Sequence, residues 1–385
     1  MGPPMCKFLK ALFLGMVYRT KWRGTGSSKS RRKARNGGQI FSVGDYNEEF
    51  SKQAEEYANK FDNADLFGVL GSVGTIGTVF WGRLADGSEI AVKKLDASKT
   101  KGVKEFTAHA ELLGSFRHKN ILTLRGYCAE GKERLLVYEY MINLSLHSHL
   151  HGSSSATLAM NWGRRMTVAI GAAEGLMYLH HKASPPTVHG DIKSKNILLD
   201  KNYEAKWMDF GLMKLMQDTW VQQCSKENGA LGMYSAPEYM KGKERSLSGD
   251  VFGFGILLLE IISGREPLMA DTTTKKSKSK SMSFFKSKSK SKPTESKSKS
   301  MWEWAEPIIA EGRFNELVDP RLKGQYAKDE LNLVVYVATM CVQSQPGSRL
   351  TMMEAVDLLR CGNVCRDHAD DDMYDDYDME FWNMS

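Results

Sequence analysis

The chain has 385 residues, of which 42% are hydrophobic, so it is long enough to bury the core of one two-lobed domain and still leave tails. Its net charge of +7 is concentrated in two basic segments, because residues 1–44 carry ten Lys or Arg and no acid, and residues 271–300 carry ten Lys against two acids. A nucleic-acid-binding fold is therefore not indicated. Six scattered cysteines lack the spacing of a disulfide framework and favour a reducing, cytoplasmic compartment.

Residues 1–44 form a basic leader. The apolar stretch from Phe8 to Tyr18 has eleven residues, whereas a helix that crosses a bilayer needs roughly 20. A basic cluster follows between Arg19 and Arg35. An apolar patch beside a basic cluster is typical of attachment to an anionic membrane surface, and Cys6 is a candidate for palmitoylation. The alternative is a disordered basic leader that carries no targeting signal.

Patterning typical of β-structure begins near residue 64. The stretch from Leu70 to Phe80 indicates a strand, a turn and a second strand, and its glycines would let backbone N–H groups approach phosphate oxygens; they are Gly71, Gly74 and Gly77. Alternating apolar residues from Glu89 to Leu95 indicate a buried strand. A lysine within such a strand, Lys93, is unusual without a partner, and we expect it to point into a cleft at the phosphates.

Further elements follow in order. Residues 135–141 predict a buried strand, residues 162–180 a helix with apolar spacing, and residues 250–262 a second, strongly apolar helix. Helices are expected again from Trp302 to about Arg360.

The most informative stretch lies between residues 189 and 211. Asp191, Lys193 and Asn196 fit on one tight loop, and Asp209 precedes a Phe-Gly pair on the next turn. Phosphoryl transfer needs a carboxylate that orients the attacking hydroxyl and oxygen ligands for Mg²⁺ between the phosphates. Asp191 suits the first task and Asn196 and Asp209 the second, while Lys193 would neutralise charge on the transferred group.

With Ala236-Pro237-Glu238 further on, these motifs resemble those of eukaryotic protein kinases, and the resemblance covers residues 64–360. It implies an α+β fold of two lobes, a small β-rich lobe (64–138) and a large helical lobe (142–360). It also implies ATP and Mg²⁺ as cofactors. The residues expected at the nucleotide are Gly71, Gly74, Gly77, Val79, Ala91, Lys93, Glu139 and Met141.

The resemblance assigns further roles. Lys93 joins Asp191 and Lys193 in catalysis, and Asn196 and Asp209 hold the metal. Tyr138 would be the gatekeeper beside the adenine. Structural roles are also implied: Asp250 would hold the backbone of the catalytic loop, and Arg349 would pair with Glu238.

The sequence departs from the kinase pattern at several positions. His109 stands where the family has the helix Glu that pairs with the strand Lys, and Glu111 is about 200° further round the helix. Two residues separate Gly71 from Gly74 where kinases have one. Gly190 replaces an Arg of the catalytic loop, and Ala230 replaces a Thr of the substrate-docking segment.

Residues 80–88, 125–131 and 141–146 are similar to plant receptor-like cytoplasmic kinases of the Pto-interacting-protein-like subgroup, also labelled tyrosine-protein-kinase-like. The resemblance implies a Ser/Thr kinase, because a Lys follows the catalytic Asp by two residues. The alternative is a weak or inactive pseudokinase that acts as a membrane-proximal signalling scaffold, and it is favoured by His109, by the altered glycine loop and by Ala230. Expected partners are a protein substrate, an upstream receptor kinase and an anionic membrane surface, with no nucleic acid. The expected location is the cytoplasm or the inner face of the plasma membrane.

Two segments are predicted to be disordered. Residues 271–300 are a Lys-Ser repeat that cannot supply a packed core, and residues 361–385 are an acidic tail. The repeat is either a solvated insert or a site for anionic lipid, acidic partners or phosphorylation.

Overall fold

The computed structural model describes residues 65–73, 77–84, 87–129, 131–152, 160–216, 233–240, 244–269 and 299–367. Outside these residues lie the leader, Gly74, Ala230, nearly all of the Lys-Ser repeat and most of the acidic tail. What the sequence predicts for them stays a prediction. None of the helices in the described ranges combines the length and the apolar character needed to cross a membrane.

The small lobe is one antiparallel sheet of five strands in the order β1-β2-β3-β5-β4. Helix α1, Val103–Ser115, lies in the chain between β3 and β4. The strands are β1 Asp65–Val73, β2 Gly77–Arg83, β3 Glu89–Leu95, β4 Leu124–Cys128 and β5 Leu135–Glu139. The two strands expected on either side of the glycine turn and both later strands are therefore confirmed, while the turn itself, residues 74–76, lies outside the described residues. Cys128 is disulfide-bonded, which the scattered cysteines did not predict.

Strand β3 lies at the centre of this sheet and carries Lys93. Ile90 and Val92 are buried as the alternation predicted, and Lys93 is aligned with Val79 on β2 and Leu136 on β5. At Gly77 a Cβ atom would lie 2.2 Å from the carbonyl oxygen of Lys94. This glycine is thus required for the close approach of two strands, a reason that is independent of phosphate binding.

The large lobe is mostly helical, and its described residues also form two small antiparallel sheets of two strands each. Helix α5 is buried almost throughout, begins at a Ser246 side chain that accepts from the Gly249 N–H, and ends at Gly264. Gly264 has φ +61°, and an added Cβ would lie 2.1 Å from Asp319, so glycine is needed there. The elements of this lobe are α2 Leu146–His151, α3 Trp162–Met177, β6 Ile197–Leu199, β7 Ala205–Trp207, α4 Pro237–Met240, α5 Leu247–Ser263, β8 Leu268–Met269, β9 Lys299–Ser300, α6 Met301–Ala310, α7 Phe314–Leu317, α8 Lys328–Cys341 and α9 Met352–Asp367.

The end of the Lys-Ser repeat differs from the prediction. Lys299 and Ser300 are structured, because they pair antiparallel with Met269 and Leu268. Ser300 also begins α6 in a capping box with Glu303, in which each side chain accepts from the other residue's backbone N–H. Disorder is therefore excluded for the last two residues of the 271–300 segment, since local pairing and capping stabilise them.

A buried ion pair joins α3 to the segment after α7. Arg165 donates to Asp319 over 2.5 Å, and both side chains are almost fully buried. Arg165 also donates to the carbonyl oxygens of Met160 and Ile261, so its charge is satisfied by three acceptors. Asp319 also accepts from Arg321 at 2.7 Å, so its charge is shared between one buried and one half-exposed guanidinium.

We expect Arg165→Met to lower the free energy of unfolding by about 1–3 kcal/mol. Asp319 would keep Arg321 as a partner, but it would lose its buried one, and two carbonyl oxygens would lose their donor. Denaturant titration of the purified chain measures this. The matched control is Arg313→Met, which removes an exposed pair with Glu311 and Glu316 and should leave stability nearly unchanged. Equal effects of the two substitutions would contradict the importance of the buried pair.

Candidate active site

The two lobes meet at an ion pair between Lys93 and Asp209. Lys93 Nζ on β3 donates to Asp209 Oδ2, across 116 positions of sequence, and the two side chains are 1% and 4% exposed. The catalytic loop lies against the same segment, because the Met208 N–H donates to the Asn196 carbonyl and the Gly211 N–H to the His189 carbonyl. The structure therefore brings together Lys93, Asp191, Asn196 and Asp209 as expected.

Asp191 is held in place by the two side chains predicted to share its loop. Its Oδ2 accepts from Lys193 Nζ at 2.5 Å and from Asn196 Nδ2 at 2.8 Å. Burial by itself raises the pKa of Asp191, but the charge of Lys193 and these hydrogen bonds outweigh it and hold the pKa below its ordinary value. Asp191 is consequently an ionised carboxylate at neutral pH.

The backbone of the catalytic loop is fixed by Asp250 on α5, as predicted. Asp250 accepts from the N–H groups of His189 and Gly190 at 2.7 and 2.9 Å, and His180 Nε2 lies 3.1 Å away. Gly190 has φ +78°, where glycine is free of strain. The predicted Arg349–Glu238 pair is likewise present, with two contacts of 2.6 and 2.8 Å.

Two oxygen atoms in the cleft fit a bound Mg²⁺. Asn196 uses its Nδ2 to donate to the backbone and side chain of Asp191, which turns its Oδ1 toward another ligand. Asn196 Oδ1 and Asp209 Oδ1 are both buried and have no hydrogen-bond partner among the described residues. Buried oxygens are rarely left unpaired, and Mg²⁺ takes oxygen ligands. The backbone strain of Asp209, with φ +63°, is typical of a functional position.

His109 occupies the position of the missing helix Glu and lies against Gly211, in the loop of residues 209–211 that we call the metal loop. It is half-buried on α1, and a Cβ on Gly211 would be 2.9 Å from its Cε1 atom. Burial and the charge of Lys214 lower the pKa of His109 to about 4, against an opposing contribution from the backbone of Phe210. The imidazole is therefore neutral, and the ion-pair partner of Lys93 within the described chain is Asp209.

Glu111 does not replace the missing Glu. Its carboxylate lies 3.4 Å from the Tyr127 hydroxyl on β4, so it faces the sheet. This agrees with the position expected from the helical period.

Apart from Gly74, which lies outside the described residues, the residues expected around the nucleotide lie on β1, β2, β3 and β5 and on the segment that follows β5. Ala91 is aligned with Tyr138 on β5, Gly71 with Val79, and Glu139 ends β5 two residues before Met141. Tyr138 is buried, and burial together with the charge of Asp209 raises the pKa of its phenol well above the usual value. Tyr138 therefore lies near Asp209 at the back of the cleft.

Glu260 was missed by the sequence reasoning. It is 1% exposed on α5, and its carboxylate accepts from Ser194 Oγ at 2.7 Å and from the Tyr234 hydroxyl at 2.6 Å. An acid within the apolar stretch that follows Asp250 was the available signal, because a buried charge requires partners. Glu260 thus connects Ser194 of the catalytic loop to Tyr234, which lies in the segment that precedes α4.

The contact between His109 and Gly211 makes a prediction about stability. Gly211→Ala should lower the free energy of unfolding by about 1–3 kcal/mol, since it adds both strain at φ +66° and a clash. In the double variant with His109→Ala the clash is absent, so the two effects should be non-additive by at least about 0.5 kcal/mol. Thermal or denaturant unfolding measures the cycle.

The control for this cycle is Gly312→Ala. Gly312 has the same φ of +66°, but an added Cβ would meet no atom within 4 Å. It should show the strain alone and be additive with His109→Ala. Additivity at Gly211 as well would place His109 away from the metal loop.

Comparison with known proteins agrees with this geometry. The family described as protein tyrosine and serine/threonine kinase matches residues 66–307. The chain is 38% identical over 333 residues to a PTI1-like tyrosine-protein kinase of Arabidopsis thaliana, which covers 86% of this chain and 82% of that protein.

Two solved structures are similar. One is the pseudokinase domain of BIR2, an immune regulator of the RLK/Pelle family, with a TM-score of 0.60, 31% identity and coverage of 77% of this chain and 82% of that one. The other is the maize SIRK1 kinase domain bound to AMP-PNP, with a TM-score of 0.62, 26% identity and coverage of 78% and 93%. The two-lobed α+β fold is confirmed, and the chain belongs to the protein tyrosine and serine/threonine kinase family.

Proposed function

We propose that the cleft binds ATP with Mg²⁺ and transfers the terminal phosphoryl group to Ser or Thr hydroxyls of protein substrates. The observation that carries this proposal is the pair of unpartnered, buried oxygens on Asn196 and Asp209, beside an ionised Asp191. A structural relative was solved with AMP-PNP, an ATP analogue. When bound, Mg-ATP supplies the phosphoryl group and a metal that offsets its charge.

Each residue has a distinct task in this proposal. Asn196 Oδ1 and Asp209 Oδ1 would hold the metal. Asp191 accepts a hydrogen bond from the substrate hydroxyl and orients it. A carboxylate with a lowered pKa is a weak base, so it is better suited to orienting the hydroxyl than to removing its proton early in the reaction. Lys193, already bonded to Asp191, offsets negative charge on the transferred group. Lys93 would share its ammonium between Asp209 and the phosphates.

The nucleotide would lie between the sheet and the large lobe. Gly71, Gly74 and Gly77 would cover the phosphates, Val79 and Ala91 would contact the adenine, and the backbone of Glu139 and Met141 would bind its edge. Lys193 favours Ser/Thr over Tyr as the acceptor, although the name of the Arabidopsis relative contains tyrosine-protein kinase.

The setting of the domain belongs to the same proposal. Residues 64–360 act as the kinase domain, and the basic leader 1–44 attaches it to the anionic inner face of the plasma membrane. An upstream receptor kinase is the partner proposed on the cytoplasmic side. The Lys-Ser repeat before β9 and the part of the acidic tail that follows α9 are solvated segments in this proposal.

A signalling scaffold without activity is the second candidate. His109 favours it, because a neutral imidazole cannot form the ion pair of an active small lobe, and one similar structure is described as a pseudokinase domain. Against it, the five polar residues of the cleft are present, and each of them makes a hydrogen bond to another of the five. They are Lys93, Asp191, Lys193, Asn196 and Asp209. Phosphotransfer discriminates between the two.

We expect Asp191→Asn to reduce phosphotransfer from Mg-ATP about 10²-fold or more, because the substrate hydroxyl loses its orienting carboxylate. A radiolabelled-ATP assay with a generic protein substrate measures this, together with thermal stabilisation by Mg-ATP. The matched control is Asp357→Asn on the exposed face of α9, which should retain full activity. ATP-dependent stabilisation without transfer in the unmodified chain would favour the scaffold.

We expect His109→Glu to raise kcat/KM roughly tenfold, which corresponds to about 1.4 kcal/mol of transition-state stabilisation. A carboxylate at this position would draw Lys93 from Asp209 and leave Asp209 to the metal. His109→Gln is the control, since it adds polarity without charge and should not raise the rate. An unchanged rate in His109→Glu would mean that Asp209 alone positions Lys93 adequately.

A further inference from the structure

A second group of ligand-bearing side chains lies outside the nucleotide cleft, between α2 and α5. It consists of His147 and His151 on α2 and Glu260 on α5, and the ligand atoms of the three residues all lie within 4.8 Å of one another. His151 Nε2 is 2.8 Å from Glu260 Oε1, and the two imidazole rings are 4.9 Å apart. The proposed phosphotransfer makes no use of the two histidines.

The three side chains are held in position by their surroundings. His147 and His151 are four residues apart on one helix and therefore share a face. The N-terminus of that helix is fixed by Ser145, whose hydroxyl accepts from the Ser148 N–H at 3.3 Å. Glu260 is fixed from the other side by Ser194 and Tyr234, which donate to its two oxygens. Such outer partners orient a ligand for a metal.

The donor set is two imidazole nitrogens and one carboxylate oxygen. This combination, with water in a fourth position, is typical of tetrahedral Zn²⁺ sites, whereas Mg²⁺ prefers oxygen ligands alone. Lys195 opposes a cation near His147, but the carboxylates of Glu260 and Glu266 lie near it too. Burial lowers the pKa of His147, so its ring is neutral and offers a lone pair at neutral pH.

We propose that His147, His151 and Glu260 form a binding site for a divalent transition-metal ion of the Zn²⁺ class. The ion would take the place of the hydrogen bond between His151 and Glu260. Because Glu260 also binds Ser194 and Tyr234, an occupied site would connect α2 with the catalytic loop and with the segment that precedes α4. The site is independent of the nucleotide cleft, so it can exist whether or not the chain transfers phosphate.

The test is calorimetric titration of the untagged full-length chain with Zn²⁺, in excess Mg²⁺ to occupy oxygen-only sites. The expected result is one tight equivalent, with affinity at least about tenfold weaker in His147→Gln and in His151→Gln, because even loss of an outer partner costs 10–100-fold. Zn²⁺ should also raise the Tm of the unmodified chain and leave that of His147→Gln unchanged. Co²⁺ gives a spectroscopic check, since bound imidazole changes its visible absorption.

His149→Gln is the matched control. His149 is on the same short helix, but its Nε2 contacts the carbonyl oxygen of Asn143 and its ring contacts Tyr203, so the tight equivalent should be retained. Asp209→Asn should retain it as well, which separates this site from the proposed Mg²⁺ ligands. The proposal is overturned if the unmodified chain takes up no tight equivalent, or if the three His variants bind alike. Metal-free melting curves establish that each variant folds. If His151→Gln does not fold, the comparison of His147→Gln with His149→Gln tests the proposal.

Discussion

The buried contact between Lys93 and Asp209 is the constraint on which the active-site arrangement depends. It joins the central strand of the small lobe to the metal loop of the large lobe, and both charges are removed from water. Burying two charges is costly unless they pair closely, and loss of either one leaves the other uncompensated. The pair therefore favours a closed cleft. It also leaves Asp209 Oδ1 open, so one carboxylate can contact both the lysine and a metal.

Helix α5 provides the rigid support for everything on the large-lobe side of that contact. Asp250 holds the backbone at the start of the catalytic loop, and Glu260 holds Ser194 near its end. Ten residues of α-helix separate the two carboxylates by about 15 Å along the axis. Because the helix between them is buried on all sides, the loop is fixed at two points by one stiff element. Asp191 lies between these two points, so the backbone on both sides of it is anchored to the same helix.

Local pattern was sufficient for the strands and for the motif residues. The alternation around Val92 predicted a buried strand, and spacing alone placed Asp191, Lys193 and Asn196 on one loop. Contacts between distant segments were not encoded in this way. Nothing in the sequence near His109 indicates that its ring lies against Gly211, because that depends on how α1 packs across the cleft. Likewise, Ser300 belongs compositionally to the Lys-Ser repeat, and only its pairing with Leu268 and its capping role order it.

His109 stands where the family has a Glu, and this difference changes the electrostatics of the cleft less than the loss of a carboxylate alone suggests. The unfolded chain would protonate His109 near its ordinary pKa of 6.5, whereas the folded chain does so only near pH 4. Since the unfolded state binds more protons in this interval, stability from this group is fully present above about pH 6.5 and is lost as the pH falls toward 4. At neutral pH the ring therefore adds no further positive charge to those of Lys93 and Lys214. The attraction of a glutamate is missing, but no repulsion replaces it, and Lys93 keeps Asp209 as its partner. Because Lys93 is still buried and paired, the cleft fits an enzyme with reduced activity better than one with no activity.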